Sequence, residues 1–594
     1  MKEFVKTTLA VMCGVFIMGI VGMMIMISFI GALAASSSDP KPVLPRSGVL
    51  KMDMSKFSIV ENASGDMDLS SVVGGSYLPS VSIWKAVQAV NAAAADPSVK
   101  FIYLKTDGLS ADLAQVEELR KALSDFRLSG KAIISYVESP STASYYLASV
   151  ADKVYMLSNA GASPMIVGIG SQMFFLKDLL DKLGVNVQLI RHGKYKSAGE
   201  MFIKNSPSPE NLEQNQVMIN SMWNAVAAEV AKSRDITPEA FSAMIDNLEL
   251  NDGSDMLRNS LVDELLDKEG LKNKIATLSV VDKFSDVKMI PFADYAAVKG
   301  NGNTSSKNKI AVVYAAGDIV DGYGSANVAG DTFASLIASL RDDSSVKAVV
   351  LRVASPGGSV LGSDKIKSEI DALRNQKPVI ASYGSYAASG GYWISASCDK
   401  IFTDNTTLTG SIGCFSMIPD LSKTAKDVLH VGVTTVGSSK HSGMYSLMNP
   451  LDEQELAYMQ KSIETIYDQF VTTVSQGRDL TPEFVDSIAQ GRVWTGSDAL
   501  EIGLVDQIGT LQDAVAYAAT VAGDADLANW NVSAYPKPKT MVEQILSSVG
   551  QQVSPDNDVL AKTPFKSVGK AFRNWTWESS EHVYARMPYE IVIR

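Results

Sequence analysis

Two glycine-rich turns carry the residue types that nucleophilic chemistry needs: Ser355-Pro356-Gly357-Gly358 and Ala388-Ser389-Gly390-Gly391-Tyr392-Trp393. Each follows an apolar, strand-like run, residues 348–353 and 378–383, and each precedes a segment able to form a helix. Glycine lets the backbone turn tightly and lets a substrate approach its N–H groups. A serine on such a turn, near a helix N-terminus, has a polarised hydroxyl and a neighbouring donor for an oxyanion. Two ordinary glycine turns of an α/β sheet would look the same locally. What separates the readings is a base within reach of the serine.

A serine hydroxyl needs a base to take its proton. The chain has four histidines, His192, His430, His441 and His582, none in a triad-like context and none in an HExxH spacing. That argues against a histidine-built metal site. A lysine can serve if burial in an apolar site lowers its pKa. Lys194 and Lys196 follow the apolar run 185–190 in Arg191-His192-Gly193-Lys194-Tyr195-Lys196-Ser197-Ala198-Gly199. Two residues apart on a strand, they would face the same side. Lys440, in Ser438-Ser439-Lys440-His441-Ser442, holds the corresponding place later in the chain. Spacing alone leaves all three open.

The elements that must position these residues come from a duplication. Asp96-Pro97-Ser98-Val99-Lys100 and Leu104-Lys105 match Asp343-Ser344-Ser345-Val346-Lys347 and Leu351-Arg352 at an offset of 247 residues. Ser135-Tyr136 and Asp152-Lys153 match Ser382-Tyr383 and Asp399-Lys400 at the same offset. Arg234-Asp235-Ile236-Thr237-Pro238-Glu239 returns as Arg478-Asp479-Leu480-Thr481-Pro482-Glu483, and Leu261-Val262-Asp263 returns as Leu504-Val505-Asp506. Each copy alternates β-branched runs with helical stretches, which predicts βαβ units and largely parallel sheets. Helices are expected at 117–126 and 364–374. At the 247 offset Ser389, Gly390 and Gly391 fall opposite Thr142, Ala143 and Ser144, and Gly357-Gly358 falls opposite Ser110-Ala111. Only the second copy has the turns for a nucleophile.

The 594 residues carry a net charge of −12 and no long Lys/Arg cluster, so nucleic-acid binding is not expected. Lys2 and Lys6 precede a charge-free stretch from residue 7 to 38. Its apolar part is long enough for about 40 Å of helix, more than a bilayer core requires. With lysine on the short side, the N-terminus is expected to stay cytoplasmic and the body to lie outside. Cys13 falls in this anchor, and Cys398 and Cys414 are expected as buried free thiols. The chain divides into a cytoplasmic N-terminus 1–6, a transmembrane signal anchor 7–35, and an N-terminal repeat 46–299. A linker 300–307, a C-terminal repeat 308–534 and a tail 535–594 follow. The tail suits a neighbouring subunit, the membrane surface or its own domain.

The anchor, the duplication, Tyr195-Lys196-Ser197-Ala198, Ser355-Pro356-Gly357-Gly358, Ala387-Ala388-Ser389-Gly390-Gly391-Tyr392 and Thr409-Gly410-Ser411-Ile412-Gly413 together resemble the signal peptide peptidase A family. The match is to its long, duplicated form, protease IV, and spans about residues 50 to 520. The resemblance implies two tandem Clp protease/crotonase-like α/β domains after a transmembrane helix. It implies a Ser–Lys dyad: Ser389 as nucleophile, Lys196 as general base, and Ser411 orienting the lysine. Gly358 and Gly390 would donate to the oxyanion. It also implies cleaved signal peptides as substrates, a homotetramer, a place in the inner membrane with the catalytic body on the periplasmic side, and no cofactor or metal. One departure is Gly199-Glu200-Met201-Phe202, where the family pattern leads us to expect a proline. A catalytically silent membrane scaffold and a crotonase-type acyl-CoA enzyme are the competing readings.

Overall fold

The duplicated sequence builds two largely parallel sheets, the second with an antiparallel edge strand at Val493–Thr495, and a third, mixed sheet that joins them. The computed structural model describes residues 42–62, 78–324, 327–537 and 583–587, with scattered positions before residue 25. Most of the expected anchor at 7–35, Cys13 and His582 lie outside the described residues. Among the described residues no helix is long and apolar enough to cross a membrane.

In the first repeat, strands β1 (Gly48–Asp53), β2 (Val99–Lys105), β3 (Ile133–Val137) and β4 (Lys153–Leu157) pair in parallel in the order β4-β3-β2-β1. Glu264–Leu266 and Met289–Pro291 add the two edges. These strands are buried almost throughout, as a parallel sheet covered on both faces requires. Helix α1 (Leu113–Arg127) begins four residues before the expected 117, because Asp112 and Gln115 form a capping box there. Strand β5 (Asn186–Arg191) leaves this sheet, and the long helix α2 (Pro209–Arg234) follows it.

The second repeat copies the plan. Strands β6 (Lys309–Ala316), β7 (Val346–Ser355), β9 (Val379–Ala388) and β10 (Leu408–Gly410) pair in parallel, with short β8 (Gly357–Ser359) directly after β7. Helix α3 (Val360–Arg374) starts early too, its first turn capped by the Ser359 hydroxyl. A four-residue helix, α4 (Gly390–Trp393), follows β9, and α5 (Glu453–Arg478) matches α2. The long helices end alike: Asp235 and Asp479 close them in left-handed conformation, with φ of 55° and 53°. Behind each, an arginine pairs with a matching aspartate, Arg234 with Asp263 and Arg478 with Asp506.

The repeats are held together by a buried charge cluster and by the third sheet. Arg352 of the second repeat is fully buried and meets Glu61 at 2.8 Å and Glu118 at 2.6 Å, both from the first. Burial alone would lower the pKa of this guanidinium, but the two carboxylates hold it above its ordinary value. In the third sheet, β5 of the first repeat pairs antiparallel with β11 (Phe415–Asp420) of the second, from Arg191↔Phe415 to Asn186↔Asp420. The chain leaving β5 is thereby delivered to the C-terminal end of β9, where ligands bind in open α/β sheets.

Candidate active site

Ser389 sits between the end of β9 and the start of α4, with φ 55° and ψ −112°. A non-glycine residue held there costs on the order of 1–3 kcal/mol, which surrounding contacts must offset. Two backbone bonds fix it: its N–H donates to the Gly410 carbonyl at 2.8 Å, and its carbonyl accepts from the Trp393 N–H at 2.8 Å. The serine is fully buried, and so is the turn that follows. The geometry is that of a strand-to-helix elbow, which forces one side chain out of the regular ladder.

Lys196 reaches this serine from the first repeat. Its Nζ lies 2.8 Å from Ser389 Oγ, 3.0 Å from Ser411 Oγ and 3.0 Å from the Ser411 carbonyl oxygen. Lys196 is fully buried, and that burial lowers its pKa to about 7. The nearby Cys414 thiol does not supply a compensating anion, because burial pushes its own pKa up to about 12. A neutral amine at this pH, bonded to a serine hydroxyl, can take that proton.

The backbone carrying Lys196 is tied down on three sides. Arg191 Nη1 donates to the Lys196 carbonyl at 2.6 Å and pairs with buried Glu200 at 3.2 Å. Gln214 Nε2 donates to the Tyr195 carbonyl at 3.0 Å, while the Val493 N–H of the second repeat donates to Gln214 Oε1 at 3.3 Å. The Tyr195 N–H donates to the Gln490 carbonyl at 2.9 Å. Beside that contact stands Gly491, with φ +78°, where an added Cβ would meet Lys196 Cβ at 2.5 Å. Arg191, Glu200, Gln214 and Gly491 escape a reading based on motifs. Only Arg191 and Glu200 carry a signal, since they bracket the lysine turn, and Glu200 stands in the stretch that departs from the family pattern.

The strand geometry expected for the two lysines does not hold. β5 ends at Arg191, and residues 192–199 turn instead of continuing extended. Lys194 therefore points to solvent, its Nζ 5.1 Å from the centre of the Tyr195 ring, while Lys196 points inward. Lys440 is exposed and pairs with Asp452 at 3.4 Å, away from Ser389. His192 stacks on Tyr467, and His441 is bonded to Glu455. His441, Asp452 and Glu455 converge, but both carboxylates serve as the capping box of α5.

Gly358 and Gly390 flank the serine. Gly358 has φ +155° on β8, and a Cβ there would lie 2.0 Å from the Ile319 carbonyl oxygen, so the residue has to be glycine. Gly390 is the first residue of α4, so its N–H has no acceptor within that helix. Cys398 and Cys414 are both free and buried.

The model of peptidase family S49 matches this chain twice, at residues 125–282 and 371–524. Protease 4 of Haemophilus influenzae is 34% identical over 536 residues, covering 87% of this chain and 86% of that protein. Protease 4 of Salmonella typhi is 36% identical over 480 residues, covering 79% and 76%. The chloroplastic serine protease SPPA of Arabidopsis thaliana is 30% identical over 473 residues, covering 78% and 69%. The two matched stretches fall one in each repeat, and the similarity runs through both. The chain belongs to peptidase family S49, in the long, duplicated form, and is a serine peptidase.

Proposed function

We propose that Ser389 is the nucleophile and Lys196 the general base of a Ser–Lys dyad. The observation that carries this is the buried Lys196 amine, 2.8 Å from Ser389 Oγ with a pKa of about 7. Neutral Lys196 takes the hydroxyl proton as Ser389 Oγ attacks a peptide carbonyl carbon. The resulting oxyanion is held by the N–H groups of Gly358 and Gly390. Loss of one such donor typically costs about 10²–10³ in rate. Lys196, now protonated, gives its proton to the leaving amine, and the C–N bond breaks. Water then attacks the acyl-serine carbonyl carbon while Lys196 takes a proton from it; the ester C–O bond breaks, Lys196 returns that proton to Ser389 Oγ, and the acid product leaves. Ser411, through its hydroxyl and its carbonyl, keeps the amine aimed at Ser389. The scheme draws on no metal or cofactor.

The substrates we propose are cleaved signal peptides and similar apolar, extended peptides. The charge-free stretch from residue 7 to 38, with Lys2 and Lys6 before it, supports a membrane anchor with the catalytic body on the periplasmic side. The family resemblance supports a homotetramer.

Hydrolysis of a peptide with an apolar residue before a fluorogenic leaving group tests the dyad. Wild type is compared with Ser389→Ala, Lys196→Ala and Lys194→Ala between pH 6 and 10. Activity should vanish in the first two and persist in the third. A Ser389→Ala or Lys196→Ala variant as active as wild type would overturn the assignment.

A further inference from the structure

The turn that carries Lys196 is backed by a second turn from the other repeat. Residues 490–492 follow the helix Pro482–Ile488, and two of them stand in left-handed conformation, Gln490 at φ 54° and Gly491 at φ 78°. The lysine turn wraps around them. A Cβ added at Gly193 would meet the Gln490 carbonyl carbon at 2.4 Å, the Tyr195 N–H donates to the Gln490 carbonyl at 2.9 Å, and Gly491 backs Lys196 itself. The same segment holds Ser411. The Ser411 N–H donates to the Arg492 carbonyl at 2.7 Å, and the Gly491 N–H donates to the Ile412 carbonyl at 2.8 Å. Residues 490–492 thus frame both the base and the serine beside it.

Glycine takes such a φ freely, but glutamine does so at a cost of about 1–3 kcal/mol, which its surroundings must offset. The Gln490 backbone N–H and side-chain amide both donate to the Tyr467 hydroxyl, at 3.4 Å and 3.1 Å. The amide also donates to Asp486 Oδ1 at 2.6 Å, and the Tyr467 hydroxyl donates to the same carboxylate oxygen. Burial and that carboxylate raise the pKa of Tyr467, so its hydroxyl keeps the proton it donates. The strained glutamine is held at a hub, and Tyr467 is its centre.

The ring of Tyr467 bears on the other wall. It projects from α5, is buried, and stacks on the His192 ring with centroids 3.8 Å apart and planes inclined by 19°. His192 is the residue at which the chain leaves β5 to begin the lysine turn, and its N–H donates to the Cys414 carbonyl at 3.2 Å. One side chain therefore grips the entrance to the lysine turn with its face and the turn behind Lys196 with its hydroxyl.

We propose that Tyr467 is a positioning residue for the base, acting through Gln490 and Gly491 on one side and through His192 on the other. The hydroxyl keeps the left-handed turn pressed against Lys196, and the ring keeps the lysine turn seated on it. The inference deepens the Ser389–Lys196 reading and rests on it for the identity of the base.

Steady-state kinetics on the fluorogenic peptide, followed across pH, test it on the full chain. Tyr467→Phe keeps the stacked ring and removes the hub. It should lower kcat about tenfold, the scale of one lost hydrogen bond, and leave KM within about twofold. A looser turn lets water reach the amine and favours its charged form, so the acid limb of kcat/KM should move up by about one pH unit. Gln490→Met removes the amide from the other side of the hub, should give the same shift, and serves if Tyr467→Phe fails to fold. Both variants break one hub, so the double variant should lose little more than either alone. Tyr145→Phe, which removes a buried hydroxyl bond to Leu261 in the first repeat, should lower the melting temperature and leave the acid limb unmoved. A folded Tyr467→Phe enzyme with wild-type kcat, a loss confined to KM, or a loss without movement of the acid limb would overturn the proposal. Lys196→Ala in the same assay separates the two readings. If it matches wild type, the dyad falls; if it is inactive while Tyr467→Phe matches wild type, the dyad stands and the role of Tyr467 falls.

Discussion

The turn after β3 and the turn after β9 hold the same place in the two repeats, yet their backbones differ. Both lead into a helix bearing a buried tyrosine that donates to a carbonyl of the matching segment, Tyr145 to Leu261 and Tyr392 to Leu504. In the first repeat Ser141 caps the helix from an ordinary extended conformation, φ −78° and ψ 172°. In the second, Ser389 stands at φ 55° and ψ −112°. The tyrosine anchor is shared, while the left-handed φ at this turn belongs to the copy that carries the proposed nucleophile. The first repeat contributes differently, by extending a strand across the seam and placing Lys196 in its partner.

The sharpest way to break this comparison is to treat the two turns alike. Ser389→Ala should lower kcat by roughly 10⁴–10⁶-fold, whereas Thr142→Ala at the matched position should leave initial rates within about twofold. Comparable losses in both would mean the copies share the chemistry.

Next in size is the glycine that backs the lysine. Gly491→Ala would force a Cβ to within 2.5 Å of Lys196 Cβ at a backbone φ of +78°. We expect kcat/KM to fall about 10²-fold, the scale of a misplacement near 1 Å. Gly161→Ala in the first repeat has open space around it and should be silent in the same assay.

The pH dependence sharpens the difference between a buried base and a surface lysine. With Lys196 lowered to about 7, kcat/KM should drop about tenfold per unit below that pH and level off above it. Stability should move in the same sense. Between about pH 7 and the unfolded value of 10.5 the unfolded chain holds a proton that the folded chain lacks, so stability rises with pH across this window, by about 1.4 kcal/mol per unit. Thermal melts of Lys196→Met should lose that slope, while those of Lys194→Met should keep it.

The smallest effect concerns what the copies share. Asp263 accepts from the Val154 N–H and pairs with Arg234, and Asp506 accepts from the Ile401 N–H and pairs with Arg478. Asp263→Asn and Asp506→Asn should each cost about 1–3 kcal/mol in denaturant melts. A large inequality would show that one repeat carries more of the stability than the matching scaffold suggests.

Much of this architecture could be read before any coordinates. The β-branched runs and the 247-residue offset mark the sheets, because strand burial and helix periodicity are written locally in residue type. Ser389 was conspicuous for the glycines around it. The choice of Lys196 over Lys194 was not legible from spacing, since it depends on the chain turning at His192 where an extended continuation was expected. Gly491 and Gln214 were invisible for a related reason: they act by close approach to backbone distant in sequence. The tail adds a strand of only three residues, Tyr584 to Arg586, between β8 and β11, and these partners lie more than 160 residues upstream. No local pattern could announce it.

The sequence separation of 193 between Lys196 and Ser389 also sets a clock. A ribosome adding about 5–20 residues per second exposes the lysine roughly 10–40 s before the serine. During that interval the proposed base has no Ser389 hydroxyl beside it, and β5 has no β11 to pair with. On the proposed dyad, synthesis of this peptidase thus passes through a long interval in which its catalytic pair is not yet assembled.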